Sequence, residues 1–277
     1  MPGKFFRSGI LTDRREPPKI DSSVAHIARV YDYWLGGRDN FAVDREVGDK
    51  VLEIHQETAL SVRANRAFLA RSVRYLAERA GIRQFLDVGT GLPSANNTHE
   101  VAQAVAPESR VVYVDNDPIV LAHARALLTS SPAGETGYLD ADIRDPDGIL
   151  AGAAELIDFT RPVAVMLVAV LHMLRDDEAP KAVVDRFMAA VPPGSFLVIS
   201  HLASDVQTDT MAEMGRRLNE SMTQQFTMRS RPQVTGFFDG LVLVEPGVVL
   251  THEWHKDPGG PSDPGVLWAG VARKQTP

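Results

Sequence analysis

The stretch Gln84-Phe85-Leu86-Asp87-Val88-Gly89-Thr90-Gly91 constrains the fold more tightly than any other part of the chain, because an apolar run ends there in a carboxylate and two glycines. The run reads as a buried strand. The glycines read as the tight turn after it, where missing Cβ atoms bring backbone N–H groups close to a ligand. A helix is expected to open near Asn97-Thr98-His99-Glu100, capped by Asn97 or Thr98, with the Glu100 carboxylate in its first turn. A glycine pair alone is most often just a turn. The next strand-like run, Arg110-Val111-Val112-Tyr113-Val114, adds weight because it ends in Asp115-Asn116-Asp117-Pro118. Asp115 follows Gly91 by 24 residues. That is close to the roughly 20-residue offset at which an acidic side chain meets ribose hydroxyls in nucleotide-binding βαβ units. One helix and one returning parallel strand set the two carboxyl ends side by side. Gly89, Gly91 and Asp115 should therefore border one crevice, with Asn116 adding a polar contact and Asp117 capping the helix that starts at Pro118.

Periodicity extends this unit along the chain. Strands and helices alternate over 84–88, 97–106, 110–115, 118–128, 136–140, 146–158, 162–171, 177–191 and 195–200, and Leu241–Val244, Val248–Glu253 and Val266–Ala272 supply the last strands around a turn at Glu245-Pro246-Gly247. Val163–Leu171 is continuously apolar, as a central parallel strand covered on both faces requires. Right-handed helical crossovers then close a doubly wound sheet. Ahead of it, Val62, Leu69, Val73 and Leu76 mark one face of a helix that Gly81 stops, and residues 20–57 are helical on both sides of Gly36-Gly37. Arg63, Arg66, Arg71, Arg74 and Arg79 share that predicted helix and read as a solvated face paired with acids rather than a docking site.

The nucleoside is narrowed by charge. A dinucleotide fingerprint wants a third glycine where Ser94 stands, Pro93 stiffens the loop, and Asp87 brings negative charge to the place a pyrophosphate would occupy. A cationic ligand suits that carboxylate better, and S-adenosylmethionine carries both a sulfonium and an ammonium beside its adenosine. A nicotinamide oxidoreductase is correspondingly disfavoured.

The chain resembles the class I S-adenosylmethionine-dependent methyltransferases, and within them the S-adenosyl methyltransferase family, formerly catalogued as a domain of unknown function. The resemblance spans roughly residues 20 to 272. It is carried by Ala28-Arg29-Val30-Tyr31-Asp32-Tyr33-Trp34-Leu35-Gly36-Gly37-Arg38-Asp39-Asn40-Phe41, by the Phe85–Pro93, Asn97–Ala102 and Val112–Pro118 segments, by Ala141-Asp142-Ile143-Arg144-Asp145-Pro146 and by Val244-Glu245-Pro246-Gly247. It implies a Rossmann-like α/β fold: a doubly wound, mostly parallel seven-stranded sheet with an antiparallel terminal strand and an N-terminal helical lid. The division expected is a disordered tail at 1–19, a helical lid or arm at 20–82 and a methyltransferase domain at 83–277. The cofactor implied is S-adenosylmethionine, with S-adenosylhomocysteine as product. Asp87, Gly89 and Gly91, with Thr90 between them, would flank its methionine portion, and Asp115 and Asn116 its ribose. Asp142 would meet the adenine amino group and the Ile143 backbone the ring edge; by itself Asp142 reads equally as a loop residue bonding its own backbone. Asp145-Pro146 reads independently as a cap with proline at the first helical position.

Aromatics bracketing Gly36-Gly37 suit a lid that excludes water, or an arm packed on the sheet's helices, and Tyr33 is counted among the cofactor contacts. Arg38, or Arg29, is assigned to the cofactor carboxylate on charge alone. Transfer to a hydroxyl or amine requires a base at a strand's carboxyl end, where His172 and His201 qualify by position, although each also reads as a structural hydrogen-bonder. His99 is expected to fix the glycine loop, and no metal is expected. Met211, Met214, Leu218 and Met222 share a helical face that is either core or an acceptor pocket. Net charge −7 argues against nucleic acid as partner, the absence of cysteine excludes thiolate chemistry, and the longest apolar run is too short to span a bilayer. A cytoplasmic enzyme acting on a small-molecule acceptor is expected, with a non-catalytic sensor of S-adenosylmethionine or S-adenosylhomocysteine as the alternative and the oligomeric state open.

Overall fold

The computed structural model describes residues 4–7, 21–127, 130–256 and 265–276. Strands β1 (Lys4–Arg7), β2 (Gln84–Val88), β3 (Arg110–Asp115), β4 (Glu135–Asp140), β5 (Ala164–Val168), β6 (Phe196–Leu202), β7 (Val242–Leu243), β8 (Val249–Leu250) and β9 (Leu267–Arg273) form one sheet in the order β1-β4-β3-β2-β5-β6-β9-β7, with β8 pairing β9. From β4 to β6 every pairing is parallel, and β9 runs antiparallel to β6. The path from β4 to β7 holds the expected seven strands; β1 and β8 add to it. The tail expected to be disordered thus contributes residues 4–7 as an edge strand antiparallel to β4, while 1–3 and 8–19 lie outside the described residues.

Both faces of the sheet are covered, and strand alternation decides which side chain goes where. Val163, Val165 and Leu167 pack with Ile149 and Leu150 of α6 (Pro146–Ala153) and Phe187 of α7 (Pro180–Ala190). Ala164, Met166 and Val168 face the other way, toward Phe68 and Leu76 of α3 (Thr58–Glu78), Val101 of α4 (Thr98–Val105) and Ile119 of α5 (Pro118–Leu127). Gly81, at φ +69°, ends the α3 segment, as the sequence implies. Several elements are shorter than their expected bounds, and the strand read over Val248–Glu253 keeps only Val249–Leu250. Ala169 turns left-handed (φ +55°), so β5 stops at Val168 and residues 171–173 form a 3₁₀ turn; the helix from Pro146 ends at Ala153.

A third cluster attaches the N-terminal arm. Val30 and Trp34 of α1 (Ile27–Leu35) and Val47 and Val51 of α2 (Ala42–Ile54) pack against Met211, Met214 and Leu218 of α8 (Thr208–Ser221), with Met222 just beyond it. The methionine face is therefore core. The Gly36-Gly37 turn between α1 and α2 is held by Asp32, which accepts from Asp39 N (2.9 Å) and Asn40 Nδ2 (2.8 Å); a Cβ on Gly37 would lie 1.9 Å from Asp32 Oδ1. Trp34 Nε1 donates to Gly48 O at 3.2 Å. Arg71 is no solvated cation: it donates to the carbonyls of Trp254 (2.9 Å) and Thr251 (2.6 Å).

Within the arm, Arg29 of α1 and Asp44 of α2 form a buried ion pair at 3.2 Å. Asp44 also accepts from His26 N and Phe41 N, and Arg29 donates to the carbonyls of Asp21 and Val24. Removing one partner strands the other's charge in the interior, so Arg29→Met should cost ~3–5 kcal/mol of stability in urea denaturation. An unchanged unfolding midpoint would show that the pair does not hold α1 and α2 together.

Candidate cofactor cleft

The carboxyl ends of β2, β3, β4 and β5 open into one cleft of about 1200 Å³, counting its mouth. Asp87 through Leu92 line it after β2, Asp115 and Asn116 after β3, Ala141 through Arg144 after β4, and Val168 through Val170 after β5. The arm forms a roof from Ile27, Ala28, Tyr31, Asp32 and Leu35, the stripe that a helix presents on one side. Asn65, Arg66 and Leu69 of α3 supply a side wall. The arm that packs on α8 thus also roofs the cleft.

The glycine loop is built by close approach. Gly89 has φ +76°, and a Cβ there would fall 2.4 Å from Val170 Cγ2; Gly91 needs its glycine for φ alone, +65°. The backbone N–H groups of this loop turn inward, contrary to the expectation that they face a ligand. Gly89 N and Thr90 N donate to Val114 O (2.8 and 3.2 Å), and Gly91 N donates to Asp115 Oδ2 at 2.7 Å. With its donors spent on β3, the loop offers no anion cradle, which removes the main attraction for a pyrophosphate. α4 opens where expected, with Glu100 accepting from Asn97 N at 2.9 Å.

What the loop presents instead is negative charge. Asp87 is buried and accepts from Thr98 Oγ1 at 2.6 Å; burial raises its carboxyl to about 6, against the opposing hydrogen bond from Thr98 and the charge of Arg66. Asp115 Oδ1 accepts from Asp117 N (3.0 Å), and burial raises this carboxyl too. Asp117 caps α5 by accepting from Ile119 N (2.9 Å) and sits 2.8 Å from His26 Nδ1, which ties the roof to the β3 tip. Asp142 accepts from Arg144 N (2.9 Å) and Asn116 Nδ2 (3.0 Å), so the bond to its own loop exists on a side chain that also lines the cleft. Ile143 is buried beside it.

Asp87, Gly89, Thr90, Gly91, Asp115, Asn116, Asp142 and Ile143 therefore come together. Tyr33 and Arg38 do not line the cleft. Tyr33 is two residues round the helix from Tyr31 and donates to Asp49 Oδ1 (2.6 Å), while Arg38 is exposed beyond the end of α1. Arg29 is consumed by Asp44. His172 and His201 are likewise outside it. Because β5 ends early, His172 falls on the 3₁₀ turn and is buried. His201 is buried in β6, where Nδ1 meets Leu202 O and Nε2 accepts from Arg229 Nη1 (2.9 Å each). Burial drives both imidazoles below their ordinary range, His201 to about 3 and His172 well below it. His99 holds Tyr113 of β3 (Nδ1 to Oη, 2.8 Å). Sequence reasoning missed His26, Asn65, Arg66, Arg144, Met173 and Gln224 as cleft residues; only Arg66 carried a signal, as part of an arginine series read as a surface.

A profile described as S-adenosyl methyltransferase matches residues 13–275. A DUF574 family protein from Streptomyces avermitilis is 41% identical, with 92% of this chain and 100% of that one aligned at a TM-score of 0.89. A candidate methyltransferase from Thermobifida fusca is also 41% identical, over 95% of this chain and 100% of its own, at 0.86. A SAM-dependent methyltransferase from Anabaena variabilis shares the fold alone, at 11% identity and a TM-score of 0.51 over 94% of this chain and 100% of its own. Comparison with curated proteins returns no match. Among the described residues no helix is long and apolar enough to cross a membrane.

A cation bound beside Asp87 requires the carboxylate, and acid neutralises it. Affinity for a sulfonium ligand should therefore climb as pH rises through about 6 and level off above it. The same shift makes the group's contribution to folding stability fall between its unfolded value near 3.8 and about 6, because the native state binds the proton more tightly. Calorimetry with S-adenosylmethionine across this range should show the rise, and Asp87→Asn should bind weakly with a flat profile. Flat binding by the unaltered chain would remove Asp87 from the ligand.

Proposed function

Because this chain belongs to the S-adenosyl methyltransferase family, we propose that its cleft transfers a methyl group from S-adenosylmethionine to an oxygen or nitrogen nucleophile of a small-molecule acceptor. The observation that carries this reading is the convergence of Asp87, Asp115 and Asp142 in one crevice beneath a loop whose donors are already used. That arrangement favours a cationic nucleoside over a diphosphate. Each Asp115 oxygen accepts one backbone N–H and keeps a lone pair for a ribose hydroxyl. Asp142 meets the adenine amino group, the Ile143 backbone meets the ring edge, and Asp87 pairs with the ammonium of the amino-acid end.

When bound, the cofactor supplies a methyl group on a sulfonium, whose departure as a neutral thioether needs no acid. The protein's own work is alignment and dryness. The aspartates fix the nucleoside, while α1 closes the cleft with Ile27, Tyr31 and Leu35. Val170, Met173 and Leu35 give part of the cleft an apolar lining, where an acceptor would sit. A proton on the acceptor must leave to solvent or to a group within the cleft, since His172 and His201 are packed elsewhere.

Two measurements test this. Asp115→Ala should weaken S-adenosylhomocysteine binding by ~1.5–3 kcal/mol, the worth of a hydrogen bond to a charged group, and unchanged affinity would contradict the ribose role. Incubating the protein and methyl-labelled S-adenosylmethionine with small-molecule extracts should yield a labelled product. Tight cofactor binding with no product across many extracts would favour the sensor.

A further inference from the structure

The carboxylate of an amino-acid ligand has no partner among Asp87, Asp115 and Asp142, and the cations first assigned to it are elsewhere. A directed chain of hydrogen bonds running from the end of β5 through β6 and α3 to the roof supplies a partner. Ala169 N donates to Ser200 Oγ at 3.0 Å, so the Ser200 hydroxyl gives its proton to Asn65 Oδ1 at 2.6 Å. This sets the Asn65 amide: its NH₂ faces Tyr31 and donates to Oη at 2.9 Å. The Tyr31 oxygen is then an acceptor within the chain, and its own proton is the one left to give. Its acceptor in the protein is Val62 O at 3.3 Å, beyond the 2.5–3.0 Å of an ordinary O–H···O bond. As residue i−4 to Arg66 in α3, Val62 also offers that carbonyl to the helix ladder.

Arg66 stands one turn further along α3. Its side chain reaches the loop that leads into α4 and borders the same cleft as Tyr31. Its Nη2 makes only long contacts with Ala95 O, Asn96 O and Asn97 Oδ1, at 3.2 to 3.4 Å. Its Nε is buried with no partner among the described residues. Arg144, also in the cleft, is held by Asp142 and Glu178, and His26 by Asp117. Both Tyr31 and Arg66 line the cleft. The charge of Arg66 is felt at both the Tyr31 phenol and the Asp87 carboxyl; burial is still the larger influence on each and raises both.

Resting on the cofactor reading above, we propose that Tyr31 Oη and the Arg66 guanidinium form the subsite for the α-carboxylate of the adenosyl ligand, with Asp87 serving its ammonium. Donors alone suit an acceptor-only group. Asn65 and Ser200 are positioning residues that hold the Tyr31 proton toward it. The arm thereby senses the amino-acid end of the ligand, and a nucleoside lacking that end leaves the roof unengaged.

Calorimetry on the full chain with two ligands separates the outcomes: S-adenosylhomocysteine, which carries the amino-acid end, and 5′-methylthioadenosine, which keeps the nucleoside and thioether without it. Tyr31→Phe and Arg66→Met should each weaken S-adenosylhomocysteine about 10-fold or more while leaving 5′-methylthioadenosine within about twofold. Unchanged S-adenosylhomocysteine binding, or parallel loss of both ligands in the mild Tyr31→Phe variant, would overturn the subsite. If the unaltered chain binds neither ligand, the cofactor reading itself falls.

Discussion

The Asp115 carboxylate is the joint on which the cleft depends. One oxygen receives the Gly91 N–H and the other the Asp117 N–H, so a single side chain fastens the glycine loop to the tip of β3 and shapes the turn into α5. The parallel register makes this contact available by setting Val88 beside Val114. Asp117, so placed, meets His26 and draws the arm down over the crevice. From one strand pair to the roof, each step rests on the one before.

Charge then selects the ligand. A glycine loop at a strand end is often an anion site, but here its first three N–H groups point at β3. The cleft is left with carboxylates, and burial makes Asp87 costly to ionise without a cation nearby. An ammonium or sulfonium relieves that cost, whereas a diphosphate adds to it. The same fold class can therefore serve different nucleotides according to where a few backbone hydrogens are spent.

Much of this was legible in the sequence, because βαβ units are local: strand runs, the Gly91–Asp115 spacing and the Asp145-Pro146 cap each lie within a few dozen residues. The misreadings came where helix rotation or packing decides. The aromatic arm pointed to ligand contact, yet which face of α1 meets the sheet is set by the hydrophobic seam through Val30 and Trp34, and that seam turns Tyr31 inward and Tyr33 toward Asp49. Arg66 was hidden in an arginine series whose members diverge in role once α3 is docked, Arg71 going to backbone carbonyls and Arg66 to the cleft. His172 reads as a strand-end residue only if the Val163–Leu171 run stays strand throughout, and Ala169 ends β5 sooner. His201 reads as one only if its strand stops at Ser200, but β6 runs on through Leu202 and Arg229, with no local signature, claims the imidazole. Gln224 reaches the cleft from a segment far along the chain, which no spacing rule anticipates.

The central claim is that aspartates at neighbouring strand tips grip a cationic adenosyl compound. Crystallising the chain with S-adenosylmethionine tests it most directly. The account predicts ribose hydroxyls on Asp115, the adenine edge on Asp142 and the Ile143 backbone, and the amino-acid end beside Asp87. An empty cleft at saturating ligand, or the adenosyl group seated away from Asp115, would contradict it.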